Sequence, residues 1–426
     1  MIQRPKGTYD VYGDYGKKIK YIEELFEGLM EKYNYEYFRT PIFESSTLYH
    51  RGVGDTTDIV TKETYDFKDR GNRDLTLRPE GTAGIVRSYI ENKLYGESSI
   101  VKAWYFGPNF RYERPQSGRF REFYQFGCEV FGSSDPMLDA EIISIPVMLY
   151  KLLGLKGVKV NINSLGNVES RKLYHDALIE YFKPHLNELC DDCRERFLKN
   201  PLRILDCKID SDKEYMKSAP KMIDFLDDKS LKHFNDLQKY LKALNIEYVV
   251  NDKLVRGLDY YTDTVFEVEA DIEGMGSQCV LCGGGRYDNL VDTLDGPKTC
   301  SVGFAFGLER LLKALECENV DMHIHNDIDC YIIPMDELVK DYAFNLCINL
   351  RLNGFKVEID YNNRNLKNNF KFADKLKSQF VILIGSEEVD SNIITIKNNK
   401  TKNSYKVKKE DLIEFLDENL EECSCE

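Results

Sequence analysis

Between Lys102 and Gly132 the chain reads KAWYFGPNFRYERPQSGRFREFYQFGCEVFG, a stretch whose charges are spaced to handle phosphate. Two β-runs flank a basic turn that contains Pro115 and Gly118. In the second run a period of two puts Arg121, Phe123, Gln125, Gly127 and Glu129 on one face. Phe120, Tyr124, Phe126, Cys128 and Val130, with Glu122, fall on the other. One face is apolar enough to be buried, and the other offers a cation, an amide and a carboxylate along a rigid floor. Arg111 and Glu113 fall together on the first run, while Arg114, Arg119 and Arg121 crowd the turn. Guanidinium groups meet phosphate oxygens through paired hydrogen bonds, so this hairpin is expected to hold phosphates. A solvated hairpin tip accounts for arginines alone, but not for Gln125 and Glu129 mid-strand beside a glycine.

Further along, Gly303 and Gly307 would let a flat ligand lie against the backbone. Arg310, at a predicted helix start, can lay its guanidinium over a ring. Gly283-Gly284-Gly285-Arg286-Tyr287-Asp288 is predicted to open a helix, a weak signal by itself. No GxxxxGK[ST] occurs, and no GxGxxG follows a strand, so the common phosphate-loop and dinucleotide signatures lack support. Cys190-x2-Cys193 and Cys279-x2-Cys282 each have the spacing of half a zinc site, and Cys207 lies near the first pair. No histidine stands at a matching distance, so free, partly buried cysteines and no metal are expected.

At 426 residues and a formal net charge of −14, the chain has no general attraction for nucleic acid or an anionic membrane. A polyanion must be met by local basic patches. No run approaches the ~18 apolar residues of a membrane span, and the opening MIQRPKGTYD has no apolar signal core. With twelve scattered cysteines, a reduced, cytoplasmic protein is expected.

The elements that must position these residues follow from periodicity. Lys17–Tyr33 is predicted helical, with Ile19, Ile22, Phe26, Leu29 and Tyr33 on a stripe that packs on its own domain or on a second copy. A strand breaks at Pro41, a hairpin turns at Gly71-Asn72, and Arg78-Pro79-Glu80-Gly81-Thr82 leads into a helix from Ala83 to Tyr95. A helix over 136–153 and a strand over 158–163 precede a helix-rich insertion at about 168–245. Strands return at 246–250, 264–270 and 300–306. A composition change over 323–329 marks a boundary, and beyond it strand and helix alternate as in a small α/β domain. Its second predicted helix, Arg364–Lys377, carries Arg364, Lys367, Lys371 and Lys375 along one face. From Asn363 to Lys409 there are eleven Lys/Arg against four Asp/Glu, which suits a phosphate backbone.

Together these segments resemble the class II aminoacyl-tRNA synthetases, and within them the histidyl-tRNA synthetase family. The helix and strand ending at Pro41 resemble the class's dimer-forming first motif, FRYERPQSGRFREF its second and GFAFGLERLL its third. LVRGLDYYTDTVFEV (254–268) and GGGRYDNL (283–290) resemble the two histidine-specific signatures; RPEGT (78–82) and QFGCEVFG (125–132) fit the same pattern. The resemblance implies an α+β fold, with an antiparallel-sheet catalytic core over 1–325 carrying the helical insertion and an α/β anticodon-binding domain over 329–426. It implies histidine activation by ATP with Mg2+ and transfer to tRNA(His) by a cytoplasmic homodimer. Arg111 and Arg256 would flank the α-phosphate, with Arg256 the distinctive catalytic cation, and Phe123 and Arg310 would sandwich the adenine. Glu113, Arg119 and Arg121 would complete the ATP site. Glu80, Gly81, Thr82 and Gln125 would hold the histidine amino end, and Glu129, Tyr260 and Tyr261 its imidazole. Arg114 and Gln116 would meet the tRNA acceptor end, and the basic helix its anticodon stem. A synthetase-like regulatory subunit of ATP phosphoribosyltransferase that senses histidine shares the core, but generally erodes the catalytic arginines. In this family Asn369 is more often glutamine.

Overall fold

The computed structural model describes every residue except 1, 55, 56, 58, 117, 206, 208, 276–278, 323, 325–327 and 421–426. The chain separates into two compact units, Met1–Met322 and His323–Glu426. Most of the 323–329 stretch lies outside the described residues.

The first unit opens with the helix Gly13–Lys32, four residues earlier than the apolar spacing predicts. Its stripe is buried inside this same chain, where the Phe26 ring lies 5.7, 4.9 and 5.6 Å from Trp104, Phe126 and Phe306. Of the two surfaces that could cover the stripe, its own domain or a second copy, its own sheet covers Ile22, Phe26 and Leu29. The chain continues through β1 (Glu36–Tyr37) into a small antiparallel sheet of β2 (Phe43–Ser45), β3 (Tyr65–Lys68) and β4 (Asp74–Leu77). The β3–β4 turn sits at Gly71-Asn72 as predicted, with Asn72 in the left-handed region at φ 59°.

The main sheet adds β5 (Val101–Phe110), β6 (Glu122–Phe131), β7 (Val158–Ser164), β8 (Tyr248–Val250), β9 (Thr262–Ala270), β10 (Val280–Arg286) and β11 (Ser301–Gly307). Among the described residues it is eight-stranded, in the order β1-β5-β6-β11-β10-β9-β7-β8. Only the two edge strands run parallel to their neighbours. The β5–β6 hairpin pairs from Val101 opposite Phe131 to Phe110 opposite Glu122. Its period-two alternation therefore sends Phe126 into the core, stacked on Phe106 and Phe306, and leaves Phe123, Gln125 and Glu129 on the other face.

The three glycines at 283–285 are inside β10, and the following helix starts only at Leu290. A run without side chains has no period to read, which is why a strand there was indistinguishable from a turn. Arg286, at the end of β10, is fully buried and pairs with Asp139 of the helix Pro136–Leu152 at 2.6 Å. His233, from the helix Asp228–Ala243, reaches the same carboxylate at 3.3 Å. This ion pair ties the last helix of the insertion to the sheet, so that helix is part of the layer covering it. The earlier part of the insertion has its own core around Tyr174, Leu178, Phe182 and Cys193.

The second unit holds β12 (Cys330–Pro334), β13 (Val357–Ile359), β14 (Phe380–Ile384), β15 (Ile393–Asn398) and β16 (Ser404–Lys408), ordered β13-β12-β14-β15-β16. The first three are parallel and the last two antiparallel, around a core that includes Ile332, Leu350 and Ile382. The predicted strand–helix alternation is present over β12–β14. Its second helix runs Leu366–Lys375, which leaves Arg364 in the loop before it. Among the described residues no helix is long and apolar enough to cross a membrane.

Candidate active site

The polar face of β6 floors a cavity of ≈ 440 Å³, a size that suits a small ligand. Phe123, Gln125 and Glu129 rise from β6, and Arg111, Glu113 and Arg119 come from the turn that joins it to β5. Glu80 and Thr82 enter from the start of the helix Thr82–Glu91, and Arg256, Tyr260 and Tyr261 from the loop before β9. Arg310 reaches in from the first turn of the helix Leu308–Cys317.

Two expected residues stand outside this lining. Arg121 precedes β6 and escapes its register; its guanidinium lies 3.9 Å over the Tyr112 ring and its stem packs against Gly7. Gly81 makes room, since a Cβ there would stand 2.3 Å from the Tyr105 ring. Arg114 and Gln116 are exposed in the turn, which Gln116 closes by exchanging backbone hydrogen bonds with Arg119.

Glu129 is buried at the floor. Its Oε1 accepts hydrogen bonds from Thr82 Oγ1 at 2.6 Å and Tyr105 Oη at 3.1 Å, and its Oε2 from Tyr287 Oη. Burial pushes this carboxyl up to about 8, with Glu80 adding to the rise and the hydroxyl donors opposing it. Glu80 accepts from the N–H groups of Thr82 and Ala83, both at 2.8 Å, which fixes it at the helix start. Gln125 Oε1 accepts from Asn109 Nδ2 at 2.8 Å, so the amide orientation is set from beneath. The Tyr260 and Tyr261 rings lie 4.7 Å apart.

Positive charge dominates the opposite wall. Arg111 donates to Pro79 O at 2.9 Å and stands 5.2 Å over the Phe123 ring. Arg256 pairs with Glu267 of β9 and lies 5.9 Å from the Tyr261 ring. Burial acts to lower the Arg256 pKa, but Glu267 and Tyr261 hold it above its ordinary value; among the described residues its Nε is buried without a hydrogen-bond partner. This guanidinium passes over Gly283, where a Cβ would be 2.2 Å from Nη2. Arg310 donates to Val280 O at 3.2 Å, and its pKa is pushed down by burial and by Arg119, Arg111 and Arg256. Four arginines lining one cavity, with Arg310 opposed by the charge of the other three, make a receptor for an anion.

Tyr105, Asn109, Glu267 and Tyr287 were not singled out from the sequence. Tyr287 lies within the quoted GGGRYDNL, and Glu267 within VFEV, but their partners are set by strand neighbours distant in the chain. In the second unit Lys367, Lys371 and Lys375 are exposed. Arg364 is held by Asp360 at 2.5 Å and lies 4.1 Å over Phe372, so it does not continue their row. Asn369 is buried and bonded to Tyr331 and Asp360.

Residues 7–311 match the model of the family described as histidyl-tRNA synthetase, and 329–419 that of the anticodon binding domain. The chain is 50% identical over 401 residues to a histidine–tRNA ligase of Anoxybacillus flavithermus (strain DSM 21510 / WK1), covering 94% of this chain and 95% of the relative. It is 48% identical over 420 residues to that of Geobacillus sp. (strain WCH70), covering 98% and 99%. The crystal structure of apo S. aureus histidyl-tRNA synthetase aligns with a TM-score of 0.84 at 41% identity, covering 98% of this chain and all of that one.

Proposed function

The chain belongs to the histidyl-tRNA synthetase family, and from that premise we infer how its own residues activate L-histidine with ATP and pass it to the 3′ end of tRNA(His). The observation that carries this reading is the convergence of Arg111, Arg119, Arg256 and Arg310 on a cavity whose floor is Glu129.

In the first step a histidine carboxylate oxygen attacks the α-phosphorus of ATP, and the bond to pyrophosphate breaks. Negative charge grows on the phosphate oxygens, and fixed cations that need no rearrangement lower that barrier most. Arg111 and Arg256 fill this role, each held in place by a partner: Pro79 O for Arg111 and Glu267, which also lines the cavity, for Arg256. Phe123 and Arg310 bracket the adenine, and Arg119 with Glu113 serves the outer phosphates. Mg2+ would accompany ATP and neutralise phosphate charge, and Glu113, paired here with Arg119 at 3.2 Å, is the carboxylate of the turn that would hold it. Glu80, Thr82 and Gln125 receive the amino group. Glu129 and Tyr261, with Tyr260 alongside, take the imidazole nitrogens, one of which donates while the other accepts. In the second step a hydroxyl at the 3′ end of tRNA attacks the adenylate carbonyl and AMP leaves.

The first unit is the catalytic domain in this account and the second reads the anticodon stem through Lys367, Lys371 and Lys375, with Arg114 and Gln116 at the acceptor end. A cytoplasmic homodimer would form along the edge of β1 that no described strand pairs, beside exposed Tyr37, Ile42 and Phe43. The regulatory alternative is disfavoured because Arg111, Arg256 and Arg310 all remain in the cavity.

Incubation with histidine and ATP without tRNA should yield enzyme-bound histidyl-adenylate that discharges when tRNA(His) is added. An enzyme that binds histidine but never forms the adenylate would overturn the assignment.

A further inference from the structure

The insertion contains a cluster of soft donors that histidine activation does not use. Cys190, Cys193, Cys207 and Asp210 each offer one atom, and these atoms all lie within 4.8 Å of one another. Cys190 Sγ and Cys207 Sγ are 3.7 Å apart, and Cys207 Sγ is 3.8 Å from Asp210 Oδ2. Around a tetrahedral ion with metal–sulfur bonds of about 2.3 Å, neighbouring sulfurs stand ~3.8 Å apart and a sulfur and a carboxylate oxygen ~3.5 Å. The donors are thus spaced as if about a common centre. In sequence they read C-x2-C-x13-C-x2-D, with Asp210 completing a set that the cysteines alone left at three.

The surroundings favour a cation. Cys190 caps the N-terminus of the helix Asp191–Lys199 and Cys193 lies in its first turn, where the helix end stabilises thiolates. Asp210 N donates to Cys207 Sγ at 3.4 Å, and Cys190 N to Asp210 Oδ2 at 3.0 Å, so the donors orient one another. Asp210 is buried, and among the described residues its ion-pair partner is Lys213, at 2.8 Å. Cys193 and Cys207 are buried, and a metal displaces thiol protons as it binds. By contrast, among the described residues Cys279 and Cys282 join no such group.

We propose that Cys190, Cys193, Cys207 and Asp210 bind one zinc ion that clamps the helix Asp191–Lys199 to the loop ending at Asp210. Three sulfurs and a carboxylate with no open position make a closed, structural site. Binding replaces three thiol protons by the ion, with no change of oxidation state. The clamp departs from the free-thiol expectation, and it bears on the loop that carries Arg256. Asn200 donates to Asp259 Oδ1 at 3.3 Å, and Arg203 to Gly257 O at 3.4 Å, both from the clamped segment.

The test is the metal content of the full chain, purified under reducing conditions without chelator or added metal. Zinc should be present at about one ion per chain in the wild type and in Cys279→Ser, and at under about a tenth of that in Cys207→Ser and Cys193→Ser. Asp210→Asn, which keeps the side-chain shape, should lose zinc to a chelator at least ~10-fold faster, and this arm serves if the cysteine variants fail to fold. Cobalt(II) exchanged into the wild type should show thiolate charge-transfer absorption. A wild type without zinc, another metal in its place, a Cys190–Cys207 disulfide, or zinc retained by Cys207→Ser would each overturn the proposal.

Discussion

Glu129 carries three hydroxyl donors on two buried oxygens, and burial lifts its pKa to about 8. An imidazole ordinarily titrates near ~6.5, so the favourable complex is the one in which ring and carboxyl hold a single proton between them. Histidine affinity should therefore be level from about 6.5 to about 8 and fall on either side, below because the ring becomes an unpaired cation and above because the carboxylate loses that proton. Glu129→Gln should flatten the alkaline limb and raise KM for histidine more than for ATP; equal rises would place Glu129 in the strand's support instead. In the ligand-free protein the sign is fixed by the raised pKa. Its contribution to stability is full below the carboxyl's ordinary range and lost as pH rises through about 8, so the stability of Glu129→Gln relative to the wild type in thermal melts should rise across that window and level off above about 8. Arg256→Ala should slow single-turnover adenylate formation by about 10²–10³ and affect histidine binding less. An unchanged rate would remove Arg256 from the chemistry. Arg111, Gln125 and Glu129 were legible because type and alternation agree. Glu267 and Tyr287 were not, since a lone carboxylate or phenol acquires meaning only when the sheet brings its partner across.

At the scale of elements, the β5–β6 hairpin could be read because the second run alternates in sequence, and its pairing register is unbroken over ten residues of each strand. The glycines of β10 could not, and they have a defined use. Gly283→Ala would put a methyl 2.2 Å from Arg256 Nη2. It should cost about 1–3 kcal/mol in stability through overpacking and lower the activation rate at least ~10-fold with little change in ATP binding. A variant with the wild-type rate would mean that the guanidinium need not lie over β10. The stripe of the helix Gly13–Lys32 shows a different limit: periodicity announces a face to be buried and is silent about which surface buries it. With Phe26 packed on its own sheet, the proposed dimer is assigned to the β1 edge, so Phe43→Glu should weaken association in sedimentation at micromolar protein. If it leaves association intact, the interface is elsewhere.

For the whole molecule, the histidine and ATP groups belong to the first unit and the exposed lysine row to the second. Removing 329–426 should spare histidine-dependent pyrophosphate exchange and sharply lower kcat/KM for tRNA. The intact enzyme should lose tRNA affinity with rising salt in proportion to the phosphates engaged. Equal kcat/KM with and without the unit would leave its lysines as a solvated surface. Strand–helix alternation made this small domain readable in outline, whereas Arg364's capture by Asp360 and Phe372 depends on a loop conformation that helical spacing does not encode. The most direct test of the central claim is ATP–pyrophosphate exchange measured with each of the twenty amino acids in turn. Exchange with histidine alone is the predicted result; no exchange with any amino acid, or exchange driven by a different one, would contradict it.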